Sequence, residues 1–216
     1  MLRFTIIPVT PLQQNCTLLW CDQTGEAALI DAGGDLDRLL AEVRQQQLQP
    51  GKLWVTHGHV DHVGAVAALQ SLGWGPIEGP HQADDYWIDL VPQAAARFGL
   101  PQASSFVPDR WLKQHDVLTL GEEQLQVLHC PGHTPGHVVF YHERQQLAWV
   151  GDVLFAGSIG RSDFPGGNGP VLIRSIREQL FVLGDDVRFI PGHGPMSTFG
   201  AERQTNPFVA DRLFAG

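Results

Sequence analysis

Basic residues are scarce in this chain. Its 216 residues carry 14 Lys and Arg against 23 Asp and Glu, a formal net charge of −9. The few cations form no cluster that could neutralise a run of phosphates, so a nucleic acid is not an expected partner. Cysteine is sparse too. Cys16, Cys21 and Cys130 are an odd, widely spaced set, which makes no disulfide framework and leads to an expectation of reduced thiols in a cytoplasm. No apolar run approaches the roughly 20 residues of a membrane span. Met1 to Val9 carries a single charge at Arg3 and lacks the basic start, long apolar stretch and cleavage site of a signal peptide. A protein without membrane contact and without export is therefore expected. Low-complexity segments are also missing, and 43% hydrophobic content can supply a sizeable core, so residues 1–216 are expected to form one domain.

Histidine, by contrast, occurs ten times. Most of these residues stand beside Gly, Pro, Thr or Asp in short turn-like contexts rather than on regular apolar faces, which directs attention to metal binding. A pair of divalent cations would offset part of the carboxylate excess where acidic ligands converge.

Arg3–Val9, Cys16–Cys21 and Ala27–Ile30 are β-branched and apolar runs divided by turn signals, and they predict an antiparallel meander. Asp35 stands where an N-cap would, ahead of Leu36, Leu39, Leu40 and Val43 at helical spacing, and Pro50 and Gly51 stop that helix. Leu53–Thr56 predicts a buried strand, and Val63–Leu72 a second amphipathic helix closed by Gly73. Pro80–Trp111 reads as a surface excursion with helical signals only around Ala83–Trp87 and Gln93–Phe98. Strands resume at Val117–Leu120, Gln124–His129, Val138–Tyr141 and Leu147–Val150, before a helix at Val171–Leu183 and a strand at Val187–Ile190. Two packed sheets with helices outside them accommodate this order, an α+β fold.

Between the predicted strand and helix, Thr56-His57-Gly58-His59-Val60-Asp61-His62 puts four ligand-type side chains into six positions. A helix could not direct all four to one point, whereas a tight loop after a strand can, and Gly58 lets the backbone turn closely. Pro131-Gly132-His133-Thr134-Pro135-Gly136-His137, Val150-Gly151-Asp152 and Ile190-Pro191-Gly192-His193-Gly194 repeat the pattern. Each places a ligand-type residue directly after an apolar run with glycine beside it.

In this order and spacing, THGHVDH, PGHTPGH, GD and PGHG resemble the ligand motifs of the metallo-β-lactamase-fold hydrolases, specifically their glyoxalase II branch. GRSDFPGG at Gly160–Gly167 and the GHGPMST, ER and NPF segments near the end are similar to short bacterial hydroxyacylglutathione hydrolase-like proteins. The resemblance spans nearly the whole chain and implies an αββα sandwich. It implies that His57, His59 and His133 hold one metal, that Asp61, His62 and His193 hold a second, and that Asp152 bridges them. Nitrogen and carboxylate ligands without thiolate suit Zn²⁺ first and also Fe or Mn. Cys130 is read as a buried strand residue, His137 as a residue orienting its loop, and His81, His115, His129 and His142 as ordinary.

Two cations sharing a water would lower its pKa from 15.7 toward about 7, so the expected nucleophile is a bridging hydroxide attacking a thioester such as S-D-lactoylglutathione. Asp61, able to ligate and to hold the nucleophile's hydrogen bond, is the expected catalytic carboxylate. A Gly-x-Ser-x-Gly elbow is absent. The larger glyoxalase II enzymes carry a C-terminal helical extension and a Lys and Tyr after the bridging Asp; this chain stops soon after His193 and offers Phe155, Ile159, Arg161 and Phe164 instead. Arg161 and Phe164 are the expected substrate-binding residues, with an ion pair between Arg161 and Asp163 as the competing reading. Two other functions stay open at this point. A mononuclear iron oxygenase of the persulfide dioxygenase type would use His57, His133 and Asp152, and a non-catalytic metal-stabilised module would need a closed site.

Overall fold

Apolar neighbours along each strand point to opposite faces, and this alternation builds three separate cores. The computed structural model describes residues 1–214. Its first half runs β1 (Leu2–Val9), β2 (Gln14–Cys21), β3 (Ala27–Ile30), α1 (Leu36–Gln45), β4 (Lys52–Trp54), α2 (Val60–Val63), α3 (Val66–Ser71), β5 (Ile77–Glu78), α4 (Asp85–Asp89) and α5 (Val91–Phe98). The second half runs β6 (Val117–Leu120), β7 (Glu123–His129), β8 (Val138–His142), β9 (Leu147–Gly151), β10 (Leu154–Phe155), β11 (Ser158–Ile159), α6 (Gly169–Ser175), β12 (Arg188–Pro191), β13 (Ser197–Thr198) and α7 (Phe199–Thr205). One sheet has the order β1-β2-β3-β4-β5 and the other β13-β12-β9-β8-β7-β6, while β10 and β11 form a small hairpin. Pairing is antiparallel except at β3–β4, β4–β5 and β9–β12.

Leu19, Ala28, Ile30, Trp54, Phe140, Leu147 and Trp149 face the space between the sheets. Their chain neighbours face outward. Leu18, Leu29 and Leu53 meet Leu39, Val43, Val66 and Leu69 of the helices on one side, and Val139, Ala148 and Val150 meet Leu172, Ile176 and Phe199 on the other. The result is the expected four-layer αββα sandwich.

Several local expectations are revised. Asp35 precedes α1, but its side chain makes no cap bond and accepts instead from Thr10 N at 2.8 Å. The helix expected over Val63–Leu72 begins earlier and is broken into α2 and α3. Val171–Leu183 is helical only to Ser175 in α form and continues as a π turn and a 3₁₀ turn. The middle segment is not a mere surface excursion, because Ile88, Val91 and Ala95 are buried in the same cluster as Val60 and Val63. Its aromatics and Pro92 obscured an amphipathic pair of short helices. Among the described residues no helix is long and apolar enough to cross a membrane.

The sheets meet where β4, β9 and β12 end and β2 and β8 begin. Val138 N donates to Thr56 O at 2.8 Å, Gly192 N to Gly151 O at 2.8 Å, and Asn15 N to Gly192 O at 2.7 Å. These bonds set the loops bearing His57, Asp152 and His193 side by side.

Candidate metal centre

His57 and His59 lie in the loop after β4, and His133 in the loop after β7. Asp61 and His62 are not in that first loop, contrary to the tight-loop expectation, but in the first turn of α2, where His62 N donates to His59 O at 2.9 Å. The helical turn separates the motif into two pairs. His57, His59 and His133 converge so that one nitrogen from each lies within 4.8 Å of the others, and a carboxylate oxygen of Asp61 and one nitrogen each of His62 and His193 converge in the same way.

Hydrogen bonds at the rear of each ring set the tautomers. His62 Nδ1 faces Asp31 Oδ2 at 2.9 Å, His133 Nδ1 faces Arg161 O at 2.7 Å, and His193 Nδ1 faces Leu12 O at 3.1 Å. His57 Nδ1 faces Thr56 Oγ1 at 3.0 Å, and that hydroxyl donates onward to Asp31 Oδ2 at 2.6 Å. In each case Nδ1–H is the donor, so the Nε2 lone pair turns inward, as in metal-ligating histidines. His57 Nε2 and His133 Nε2 stand 3.1 and 3.0 Å from His59 Nδ1, and a single proton on His59 could bridge only one of them. Asp152 joins the two groups: its Oδ1 is 3.3 Å from His62 Nε2, and its Oδ2 is 3.6 Å from His133 Nε2 and 3.8 Å from His193 Nε2.

The electrostatics divide in the same way. Burial holds His57 well below its usual range and pushes His59 down to about 3, with neighbouring histidines adding to the effect, and burial lowers His133 as well. These three are neutral donors. Burial opposes charge on His62 also, yet Asp152 and Asp61 outweigh it and raise His62, while the Asp61 hydrogen bond helps to raise His193. Against the burial penalty, His62 keeps Asp61 and Asp152 ionised. The buried Asp152 and the partly buried Asp61 thus call for positive charge, and Nε2 of His62 and Oδ1 of Asp152 are buried without a hydrogen-bond partner. These observations fit divalent cations at both clusters.

A family model, the metallo-beta-lactamase superfamily, matches residues 9–193. The chain belongs to the metallo-beta-lactamase superfamily. It is 44% identical to the hydroxyacylglutathione hydrolase GloC of Haemophilus influenzae over 96% of this chain and 98% of that one. Among solved structures it is similar to the BLEG-1 B3 metallo-beta-lactamase, at 35% identity and TM-score 0.86, covering 96% of this chain and 99% of that one. It is also similar to TTHA1623 in a di-iron-bound form, at 38% identity and TM-score 0.85, covering 94% of this chain and 99% of that one. The two clusters of this superfamily member fit a binuclear site.

Over the centre opens a cleft of about 520 Å³, walled by Leu12, Trp87, Phe98, Phe155, Phe164 and Arg161. Arg161 lines the cleft, and its guanidinium makes two bonds to Asp163, at 2.8 and 2.7 Å, and stacks 4.1 Å from the Phe164 ring centre. The ion pair and the cleft position are both realised. Phe164 lies edge-on to His59 with ring centres 5.2 Å apart.

His137 backs the site as expected: its ring stacks on His57 at 4.6 Å, and its Nε2 accepts from Asp152 N at 3.1 Å. Gly192 is required, since a Cβ there would lie 2.1 Å from Asp152 Oδ1. Asp31, which bonds Thr56 and His62, was not among the expected site residues. Its signal was present in Leu29-Ile30-Asp31-Ala32-Gly33, the same apolar run, ligand-type residue and glycine. Trp87 was also missed, and it is the neighbour that makes Gly58 necessary, because a Cβ at 58 would stand 2.7 Å from Trp87 Cβ.

Proposed function

We propose that this superfamily member is a binuclear metal-dependent hydrolase acting on thioesters, with S-D-lactoylglutathione and related hydroxyacylglutathiones as its substrate class. The observation that carries the reading is Asp152, whose two oxygens face His62 on one side and His133 and His193 on the other. It is supported by the 44% identical relative whose name is hydroxyacylglutathione hydrolase. In this reading His57, His59 and His133 hold one cation, Asp61, His62 and His193 the other, and Asp152 is shared. Zn²⁺ suits the nitrogen and carboxylate donors, and Fe or Mn suits them too. When bound, such a pair polarises a carbonyl oxygen and supplies a water whose pKa lies near 7.

The chain's own residues do the rest. Asp61 lines the cleft with one oxygen 3.1 Å from His193 Nε2 and uses its carboxylate to hold the nucleophilic water's proton, which is why it is the catalytic residue of this scheme. Asp31, Thr56 and the carbonyls of Leu12 and Arg161 hold the imidazoles in their orientations. Trp87, Phe98, Phe155 and Phe164 offer apolar surface to the substrate along the cleft, and Arg161 meets a carboxylate at the rim. Three buried free cysteines agree with a reducing, glutathione-containing cytoplasm as its setting.

Metal-loaded protein should hydrolyse S-D-lactoylglutathione, followed by loss of thioester absorbance, and should consume no oxygen when given glutathione persulfide. Oxygen uptake without thioester hydrolysis would replace this reading with the mononuclear oxygenase.

A further inference from the structure

Asp84 ends the 3₁₀ turn Gln82–Asp84 that leads into α4, and its carboxylate is fully buried, at 0% exposure. Among the described residues it has no cationic partner within ion-pair distance. Three donors surround it instead. Its Oδ2 accepts from Gly58 N at 3.0 Å and from Thr134 Oγ1 at 2.7 Å, and its Oδ1 accepts from Gly136 N at 2.6 Å. The backbone repeats the link, with His81 N donating to Gly136 O at 3.0 Å and Asp84 N to His81 O at 3.0 Å. Burial pushes the Asp84 carboxyl up to about 6, against the downward pull of these hydrogen bonds.

A buried carboxylate with no cation is an expensive element of a fold unless its acceptors are all used. Here they are used on the two loops that matter to the centre. Gly58 stands between His57 and His59, Thr134 follows His133, and Gly136 precedes His137. These loops approach each other only through tertiary structure, and His57, His59 and His133 must meet within 4.8 Å to share an ion. The backbone bond from Val138 N to Thr56 O joins the two loops at their bases, and beyond it the Asp84 carboxylate ties the Gly58 and Thr134–Gly136 segments together.

Resting on the metal-centre reading above, we propose that Asp84 is a positioning residue: by clamping the His57–His59 loop to the His133 loop it sets the affinity of the three-histidine subsite for a divalent cation. It touches neither cation nor substrate in this scheme. Trp87, on the next helical turn, packs edge-on against His59 with ring centres 4.6 Å apart, so the same clamp places the aromatic wall against the subsite. Asp31 backs both clusters, holding the rear of His62 directly and that of His57 through Thr56, whereas Asp84 bonds only the two loops of the three-histidine subsite.

The test is metal binding by the apo full-length chain, titrated with Co²⁺ against a competing chelator and read by absorbance, alongside hydrogen exchange of the Gly58 and Gly136 amides. Asp84→Asn keeps the size but turns an amide NH₂ toward donors. It should weaken one of two metal equivalents about 10- to 100-fold, the range for lost outer partners of a ligand shell, leave the other within about threefold, and speed exchange of both amides. Thr134→Val removes one donor and should move the same equivalent by a smaller factor, which keeps the proposal testable if Asp84→Asn folds poorly. Glu123→Gln, a buried carboxylate bonded to His142 and Arg144 away from these loops, should lower stability without moving either affinity. Wild-type affinities in Asp84→Asn and Thr134→Val, or an equal loss in Glu123→Gln, would overturn the clamp alone. A wild-type chain that binds no metal would overturn the centre and the clamp together.

Discussion

Arg161 touches the centre twice. Its carbonyl accepts from His133 Nδ1, while its side chain is held by Asp163 and lies over Phe164. The backbone contact survives any substitution, so Arg161→Ala should spare the reacting groups and remove only rim binding. We expect a several-fold rise in KM with kcat within about twofold, because an exposed and already paired guanidinium contributes at most about 1 kcal/mol to a further contact. Steady-state kinetics on S-D-lactoylglutathione check this, and a kcat loss matching the KM change would mean that Arg161 acts on the reaction itself.

At the scale of elements, the wall formed by α4 and α5 was the part least legible beforehand. His57, Asp152 and His193 could be read because each follows an apolar strand with glycine beside it, a pattern that lies within a few consecutive residues. Asp84 could not be read, since its partners Gly58 and Thr134 are 26 and 50 residues away in the chain. The α4–α5 pair was obscured because its buried positions, Ile88, Val91 and Ala95, are interrupted by Trp87 and Phe98, which face the cleft rather than the core. The division of Asp61 and His62 from His57 and His59 likewise depends on α2 starting at Val60, where tertiary packing rather than local propensity decides. If that wall binds substrate, Trp87→Ala should remove about 1–2 kcal/mol of apolar contact, a five- to thirty-fold rise in KM, with a smaller change in kcat. An unchanged KM would assign Trp87 to packing alone.

For the whole molecule, acid stability depends in part on the end of the second sheet remote from the metal loops. Glu123, 3% exposed, accepts from His142 Nε2 at 2.9 Å and from Arg144 at 2.6 Å. Burial alone would raise its carboxyl, but the His142 bond and the Arg144 charge bring it below the usual 4.5. A carboxylate held lower in the folded state than in the unfolded one stabilises fully above its unfolded value and loses that contribution as pH falls through the folded value. In urea titrations of the apo protein, Glu123→Gln should lose roughly 1–3 kcal/mol at neutral pH, with the difference from wild type shrinking as pH drops from about 5 to 3. A difference independent of pH would place the effect in packing instead.

The two sheets of this metallo-beta-lactamase superfamily member meet so that one carboxylate, Asp152, faces both histidine clusters, and a binuclear centre is the claim on which the proposed hydrolysis rests. Elemental analysis of metal-replete protein measures it most directly. We predict about two divalent ions per chain; a single iron per chain with no second metal would contradict the account.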